Sequence, residues 1–259
     1  MKPRVGLLVL TAAMLMAGTA GPRAADSVRL LMVLLGGGTH DVEANPPLLE
    51  SAIHSVGGIE VTKLAPPPGN QADGAHLAKL AELKPGDYDV LLFYTFRESF
   101  TPEQEVALQR FVDEGGGIVA IHAAAVTLGN SEPWARIIGA RFAGHTPGLY
   151  PLTITVADTA HPIMKGIQDF EVADEEFTFS FPEDVERHVL ARFKQRPPTT
   201  VEKNGNNDCV WTVSHGKGRA VYSSVGHGKD AWSNPVWQKM ILQAVFWAAG
   251  KPREVTLTH

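Results

Sequence analysis

Residues Val28 to Asp41 read VRLLMVLLGGGTHD. A short, continuous apolar run broken only by Arg29, with no in–out alternation, is the pattern of a strand covered on both faces, and such strands belong to parallel sheets. Gly36-Gly37-Gly38 ends the run and leaves Thr39, His40 and Asp41 just beyond its carboxyl end. The same grammar recurs twice. Tyr88–Tyr94 (YDVLLFY) is a buried strand followed by Thr95, Phe96, Arg97 and Glu98. Gly115-Gly116-Gly117 precedes a third, Ile118–Ile121, which runs into His122 and three alanines.

Helical patterns separate these strands. Pro46 to Val56 carries Leu48, Leu49, Ala52, Ile53 and Val56 at helical spacing, with Pro at its start and Gly57-Gly58 as a stop. Ile59 to Leu64 alternates as a strand, Pro66 to Gly74 is a loop, and His76 to Leu83 is a short helix. Thr101-Pro102-Glu103-Gln104 combines an N-cap, a proline at the first helical position and the partner of a capping box, opening a helix through Phe111. Strand and helix in alternation with short connections predict an α/β fold, a doubly wound, mainly parallel sheet flanked by helices. The half from Leu152 to Tyr222 is strand-rich (LTITV, FEV, FTFSF, HVLARF, CVWTVS, RAVYSS), with His215-Gly216-Lys217-Gly218 as a hairpin connection. Pro235 to Ala249 is a long apolar closing helix. No repeat or linker interrupts the chain, so residues 26–250 are expected as one domain and 251–259 as a C-terminal tail.

The 259 residues carry 23 Lys+Arg against 28 Asp+Glu, a net charge of −5, and no basic block, which excludes nucleic acid as a partner. The single cysteine, Cys209, excludes an internal disulfide, a zinc ribbon and a Cys-x-x-Cys redox pair. Residues 1–25 have the order of a secretory signal: Lys2 and Arg4, an apolar stretch from Val5 to Gly18, then small residues with cleavage after Ala20 or Ala25. The expectation is a periplasmic or secreted protein that is not membrane-embedded.

Ligands of open α/β sheets bind outside the carboxyl ends of the strands. His40, His122 and, after RAVYSS, His227 all stand at such ends beside small residues. If these strands are parallel neighbours, the three imidazoles lie on one edge of one sheet. Neutral imidazoles in that arrangement suit a metal, zinc or manganese, or general acid–base work. Asp41, Glu98 and the run Asp174-Glu175-Glu176 are the carboxylates that could complete the site, and His145 sits in a Gly/Pro loop where functional residues concentrate. Trp232 and Phe96 are candidates to stack on a sugar ring. A strand–turn–helix elbow that carries His122 instead of Ser or Cys argues against acyl transfer. Gly36-Gly37-Gly38 lacks both the Walker lysine and the G-x-G-x-x-G spacing, so no nucleotide is expected.

The chain resembles the trehalose-utilisation (ThuA-like) family. The resemblance is carried by Gly38-Thr39-His40-Asp41, Tyr88-Asp89-Val90-Leu91, Gly115-Gly116-Gly117 through Ala124, and Gly139 through His145. His161-Pro162-Ile163, Asp174-Glu175, Gly216-Lys217-Gly218-Arg219 and Gly226-His227 with Trp232 continue it in the family's order. It implies a class I glutamine amidotransferase-like fold with His122 at the nucleophilic cysteine position. It also implies a role in the metabolism of trehalose-like disaccharides and their 3-keto derivatives. Phe177 departs from the tyrosine that family members often have after Asp-Glu-x.

Two functions follow as expectations. The first is an enzyme acting on a keto-sugar or glycoside. A metal on His40, His122 and His227 would polarise the carbonyl, Glu175, Asp174 or His145 would move the proton, and Asp41, Phe96 and Trp232 would hold the sugar. The alternative is a non-catalytic carbohydrate-binding module using the same cleft. The sugar, the bond and the oligomeric state stay open at this point.

Overall fold

The computed structural model describes residues 27–96, 99–126, 131–194 and 207–257. The opening run is strand β1 (Val28–Leu35), and its side chains divide by parity between two cores. Leu30, Met32 and Leu34 enter one core; Leu31, Val33 and Leu35 enter the other. That division is why the run shows no alternation: both faces are buried, so both parities are apolar.

The first core is covered by α1 (Pro46–Val56) and by the closing helix, which is preceded by a short one; these are α5 (Pro235–Ala248) and α4 (Lys229–Ser233). The second core lies under a 3₁₀ segment (Ala75–Glu82), α2 (Pro102–Asp113) and α3 (Glu132–Ile138). The capping box of α2 forms as expected: Gln104 N–H donates to Thr101 Oγ1, and Thr101 N–H donates to Gln104 Oε1. At α1, Asn45 leaves the cap unmade and gives its amide to the Tyr94 hydroxyl instead. No helix among the described residues is long and apolar enough to cross a membrane.

Strands β2 (Ile59–Leu64), β3 (Val90–Thr95), β4 (Gly117–Ile121) and β11 (Gly218–Ser223) join β1 in the parallel order β2-β1-β3-β4-β11. The expectation of a mainly parallel sheet holds through these five. It gives way beyond β11, where β10 (Asp208–His215), β9 (His188–Phe193), β6 (Tyr150–Val156) and β7 (Phe170–Asp174) continue the sheet antiparallel. The cause is local: the Gly216-Lys217 turn folds β10 back on β11, and successive short strands without crossover helices can only pair antiparallel. A separate ribbon pairs β5 (Arg141–His145) with β8 (Phe177–Ser180). Residues 251–257 have no regular structure yet are docked: Val255 is buried and its N–H donates to Gln243 Oε1, while Lys251 reaches Ser27 O.

Asp89, just ahead of β3, ties that strand to β1. Its carboxylate accepts from Arg29 N–H at 2.8 Å and from Arg29 Nη2 at 2.8 Å. Burial works against this carboxylate, but the Arg29 hydrogen bonds and charge outweigh it and hold its pKa below the ordinary value. The pair therefore stabilises the fold at neutral pH and loses that contribution as pH falls through the carboxylate range, below about 4. Asp89→Asn is expected to cost about 1 kcal/mol in urea unfolding at pH 7. The difference should shrink near pH 3, and a deficit that does not change with pH would assign the cost to packing.

Candidate functional site

Strand β1 has β2 on one side and β3 on the other, so the chain reverses its direction of travel across the sheet there, the kind of switch point outside which ligands of open α/β sheets bind. At this carboxyl edge of the sheet stand His40 after β1, His122 after β4 and His227 after β11, all buried. One ligand atom from each lies within 4.8 Å of the other two. The ring centroids are 4.6 Å apart for His40–His227, 5.0 Å for His122–His227 and 5.4 Å for His40–His122. The juxtaposition expected from strand order is therefore present.

His122 is the one non-glycine residue with positive φ among those described, at +46°. Left-handed backbone costs an L-residue about 1–2 kcal/mol, and here it turns the chain sharply from β4 into the Ala123–Ala125 turn. Gly226 makes the opposite wall possible: at φ +144° a Cβ there would lie 2.4 Å from Ile121 Cγ2. Tyr222 fixes the elbow from below by donating its hydroxyl to His122 O at 2.9 Å.

Backbone carbonyls set the imidazole protons. Ser224 O, 2.6 Å from His122 Nδ1, can only accept, so Nδ1 carries the proton and a neutral His122 has a bare Nε2. Gly37 O does the same to His40 Nδ1 at 3.2 Å. The bare Nε2 of His40 is buried and has no hydrogen-bond partner among the described residues. Burial, together with repulsion from His122 and His227, lowers the His40 pKa to about 3, so this imidazole is neutral across the physiological range. His227 Nδ1 faces two acceptors, His122 Nε2 at 3.1 Å and Glu175 Oε2 at 3.3 Å, and so bears a proton in this state. Burial opposes charge on His227, but the Glu175 carboxylate outweighs it and raises its pKa. Thr39 Oγ1 lies 3.0 Å from His227 Nε2.

The two acidic residues divide their work. Glu175 lies among imidazoles, with Oε2 3.5 Å from His122 Nε2 and Oε1 3.4 Å from His145 Nδ1. Burial pushes its carboxyl up, yet the His122 and His227 imidazoles beside it hold it well below the usual range, so it is ionised. Asp174 is fully buried and binds backbone: Oδ2 accepts from Gly226 and His227 N–H at 2.8 and 3.1 Å, and Oδ1 from Glu175 N–H at 2.8 Å. Its burial drives its pKa upward against His122 and these three donors. His145 is at the exposed rim and gives Nδ1–H to Thr146 O at 2.7 Å.

Three expectations need correction or refinement. Trp232 cannot meet a sugar: it is fully buried, donates its indole N–H to Gly226 O and packs on Tyr94 and Trp237. Phe96 stacks on His40, centroids 4.4 Å apart, and so shapes the site from the side. Asp41 uses Oδ1 to accept from Glu43 and Ala44 N–H, an Asx turn leading into α1. Glu98 and the residue 1–25 segment lie outside the described residues.

Sequence reading missed Thr39, Ser224 and Tyr94, whose hydroxyl donates to His227 O at 2.8 Å, because two of these act through backbone groups and one through a neighbour's side chain. It also missed β5, hidden in a Gly/Pro-rich stretch. The β5–β8 ribbon lays Phe177 over His122 at 4.2 Å between centroids, so this ring closes the cluster with an apolar face.

The sequence profile of a family described as trehalose utilisation (ThuA) matches residues 52–248. Comparison with curated protein sequences finds no match. Among solved structures, a ThuA-like protein from Parabacteroides merdae superposes with TM-score 0.71 at 17% identity, over 90% of this chain and 93% of that one. A second ThuA-like protein, from Bacteroides uniformis, gives 0.63 at 18% identity, over 91% and 97%. A β-galactosidase from Bacillus circulans gives 0.56 at 13% identity; 88% of this chain matches 32% of that enzyme. At these identities the structural likeness concerns the fold alone.

Proposed function

Because the chain belongs to the trehalose-utilisation (ThuA) family, we propose that the strand-end cluster is the active site of an enzyme that works on a carbohydrate at a carbonyl-activated carbon, a keto-sugar or keto-glycoside. The observation that carries the reading is the set of three buried imidazoles beside an ionised carboxylate. Two of the imidazoles are locked by carbonyls with Nε2 bare, and the His40 Nε2 has no partner among the described residues. A buried lone pair left unpartnered is costly, and imidazoles held through Nδ1–H by backbone are the usual support of metal ligands. The residues thus fit a divalent cation held by His40, His122 and His227. An all-nitrogen donor set favours zinc over manganese. When bound, the cation would supply Lewis-acid polarisation of the sugar carbonyl.

The remaining chemistry falls to the chain. A C–H next to a carbonyl is acidic enough for a positioned base. His145 gives Nδ1–H to Thr146 O, which leaves Nε2 as the proton acceptor. Glu175 Oε1, 3.4 Å from His145 Nδ1, would stabilise the imidazolium formed. Such a low carboxylate pKa makes Glu175 a weak base, so its part is to hold His227 and His145 in position. Asp174, bound to three backbone N–H groups, orients the loop that carries His227.

The sharp turn from β4 into the 3₁₀ segment His122–Ala125 supports an amidotransferase-like framework with imidazole at the elbow. Cys209, buried within β10 with its thiol pKa pushed well up, offers no substitute nucleophile. The binding-module alternative loses support, since Trp232 has no exposed face and Phe96 is engaged with His40. We place the enzyme in the periplasm or outside the cell on the strength of residues 1–25; amino-terminal sequencing of protein from an osmotic-shock fraction tests that.

Proton NMR of the purified protein with a 3-keto-disaccharide and with its unoxidised parent, with and without added zinc, tests the reaction. New sugar signals are expected from the keto compound alone, and faster with zinc. Conversion of the parent at an equal rate, or of neither compound, overturns the carbonyl-activated reading. Metal analysis after dialysis is expected to find about one zinc per chain, lost in His40→Ala.

A further inference from the structure

We propose that the cavity beside His40, between the Gly36–Asp41 loop and the Gly69–Ala72 turn, is a subsite for vicinal hydroxyls, with Asp41, Asn70 and Gln71 as its recognition groups. The inference rests on the carbohydrate reading above and adds where the part of the ligand remote from the reacting carbon is held.

Position selects this cavity before chemistry does. A larger one, about 690 Å³, is lined by Arg136, Asp184, His188 and His215 and touches none of the three site histidines. The cavity at Gly37–Asp41, about 520 Å³, includes His40 itself and Thr39, whose hydroxyl lies 3.0 Å from His227 Nε2. Its volume is in the range of small-molecule sites.

The walls are preformed. Gly36 N–H donates to Gln71 O at 2.8 Å, Val42 N–H to Gln71 Oε1 at 2.7 Å, and Gly69 N–H to Glu43 Oε1 at 2.6 Å. These three bonds join the two loops, so little ordering is required when a ligand enters. They also decide which polar atoms are left over. Asp41 spends Oδ1 on the Glu43 and Ala44 N–H groups, and among the described residues its Oδ2 accepts nothing. Gln71 spends Oε1 on Val42, and its amide N–H groups have no acceptor among the described residues. The Asn70 side chain likewise makes no hydrogen bond there.

A carboxylate oxygen that lines the same cavity as amide donors is matched by adjacent hydroxyls, each of which donates once and accepts once. Other ligand classes fit worse. Ala72 is the only lining residue with an aliphatic side chain, so there is little to hold an apolar group. The Asp41 carboxylate in its lining opposes an anion such as a phosphate.

Two near-isosteric variants remove the recognition atoms and keep the wall bonds. Asp41→Asn retains an oxygen for Glu43 and Ala44 N–H but replaces the free acceptor, and Gln71→Glu retains Oε1 for Val42 while removing both donors. Nitrogen-15 NMR of the full-length protein, titrated with trehalose, glucose and a 3-keto-disaccharide, is expected to show saturable shifts of the amides at 37–41 and 69–72. Each variant should weaken binding about tenfold. Shifts confined to the Arg136–His215 cavity, or binding that neither variant alters, overturn the subsite and leave the carbohydrate reading in place. No shift with any of the three sugars overturns both. If a variant fails to fold, the wild-type shift map decides.

Discussion

His122→Ala is expected to lower turnover of a keto-sugar by on the order of a thousandfold or more, and His122→Gly to lower it equally. The two variants should nonetheless differ in stability. The His122 imidazole is the hub of the cluster, in contact with His227, with Glu175 and with Ser224 O, so either replacement removes the same chemistry. The backbone is another matter. At φ +46° alanine keeps the left-handed strain and glycine does not. Glycine should therefore be the more stable of the pair by about 1 kcal/mol in urea unfolding, despite its greater freedom in the unfolded chain. Turnover is read by NMR and stability by the denaturant midpoint. Turnover within tenfold of wild type would remove His122 from the chemistry. An alanine variant as stable as the glycine variant would mean that the elbow carries no strain.

What the sequence makes legible here follows from where each signal resides. β1, β3 and β4 are readable because burial on both faces writes a run of apolar residues with almost no polar interruption, and the carboxyl ends of β1 and β4 then locate His40 and His122 by counting alone. His227 is found the same way, once β11 is taken as a neighbour of β4. Roles that depend on distant partners are not written locally. An aromatic beside a helix start looks the same whether it faces solvent or, like Trp232, sits between Tyr94 and Trp237 with its N–H on Gly226 O. Asp41 shows the reverse case, in which the signal is local: an Asp two and three residues before the N–H groups of a turn is an Asx-turn residue before it is anything else. The order β10-β9-β6-β7 and the β5–β8 ribbon over His122 depend on contacts between residues far apart in the chain, which no window of sequence contains.

The Asp174-Glu175 pair is the sharpest instance of that limit, because two adjacent carboxylates with the same chemistry receive opposite tasks. Asp174→Ala is expected to destabilise the protein by about 3–5 kcal/mol, since it leaves the buried N–H groups of Gly226, His227 and Glu175 without an acceptor. Asp174→Asn keeps one oxygen and turns an amide donor toward the remaining N–H, so about half that loss is expected. Glu175→Gln, by contrast, disturbs no backbone bond and should leave unfolding within about 1 kcal/mol of wild type while impairing turnover. Urea unfolding and turnover measured on the three variants separate the roles. If Asp174→Ala unfolds with the wild-type protein yet loses activity, Asp174 carries a proton and the positioning role is wrong. If stability falls and activity falls only with it, the buried carboxylate is the brace that holds His227 and Glu175 at the distances on which the chemistry depends.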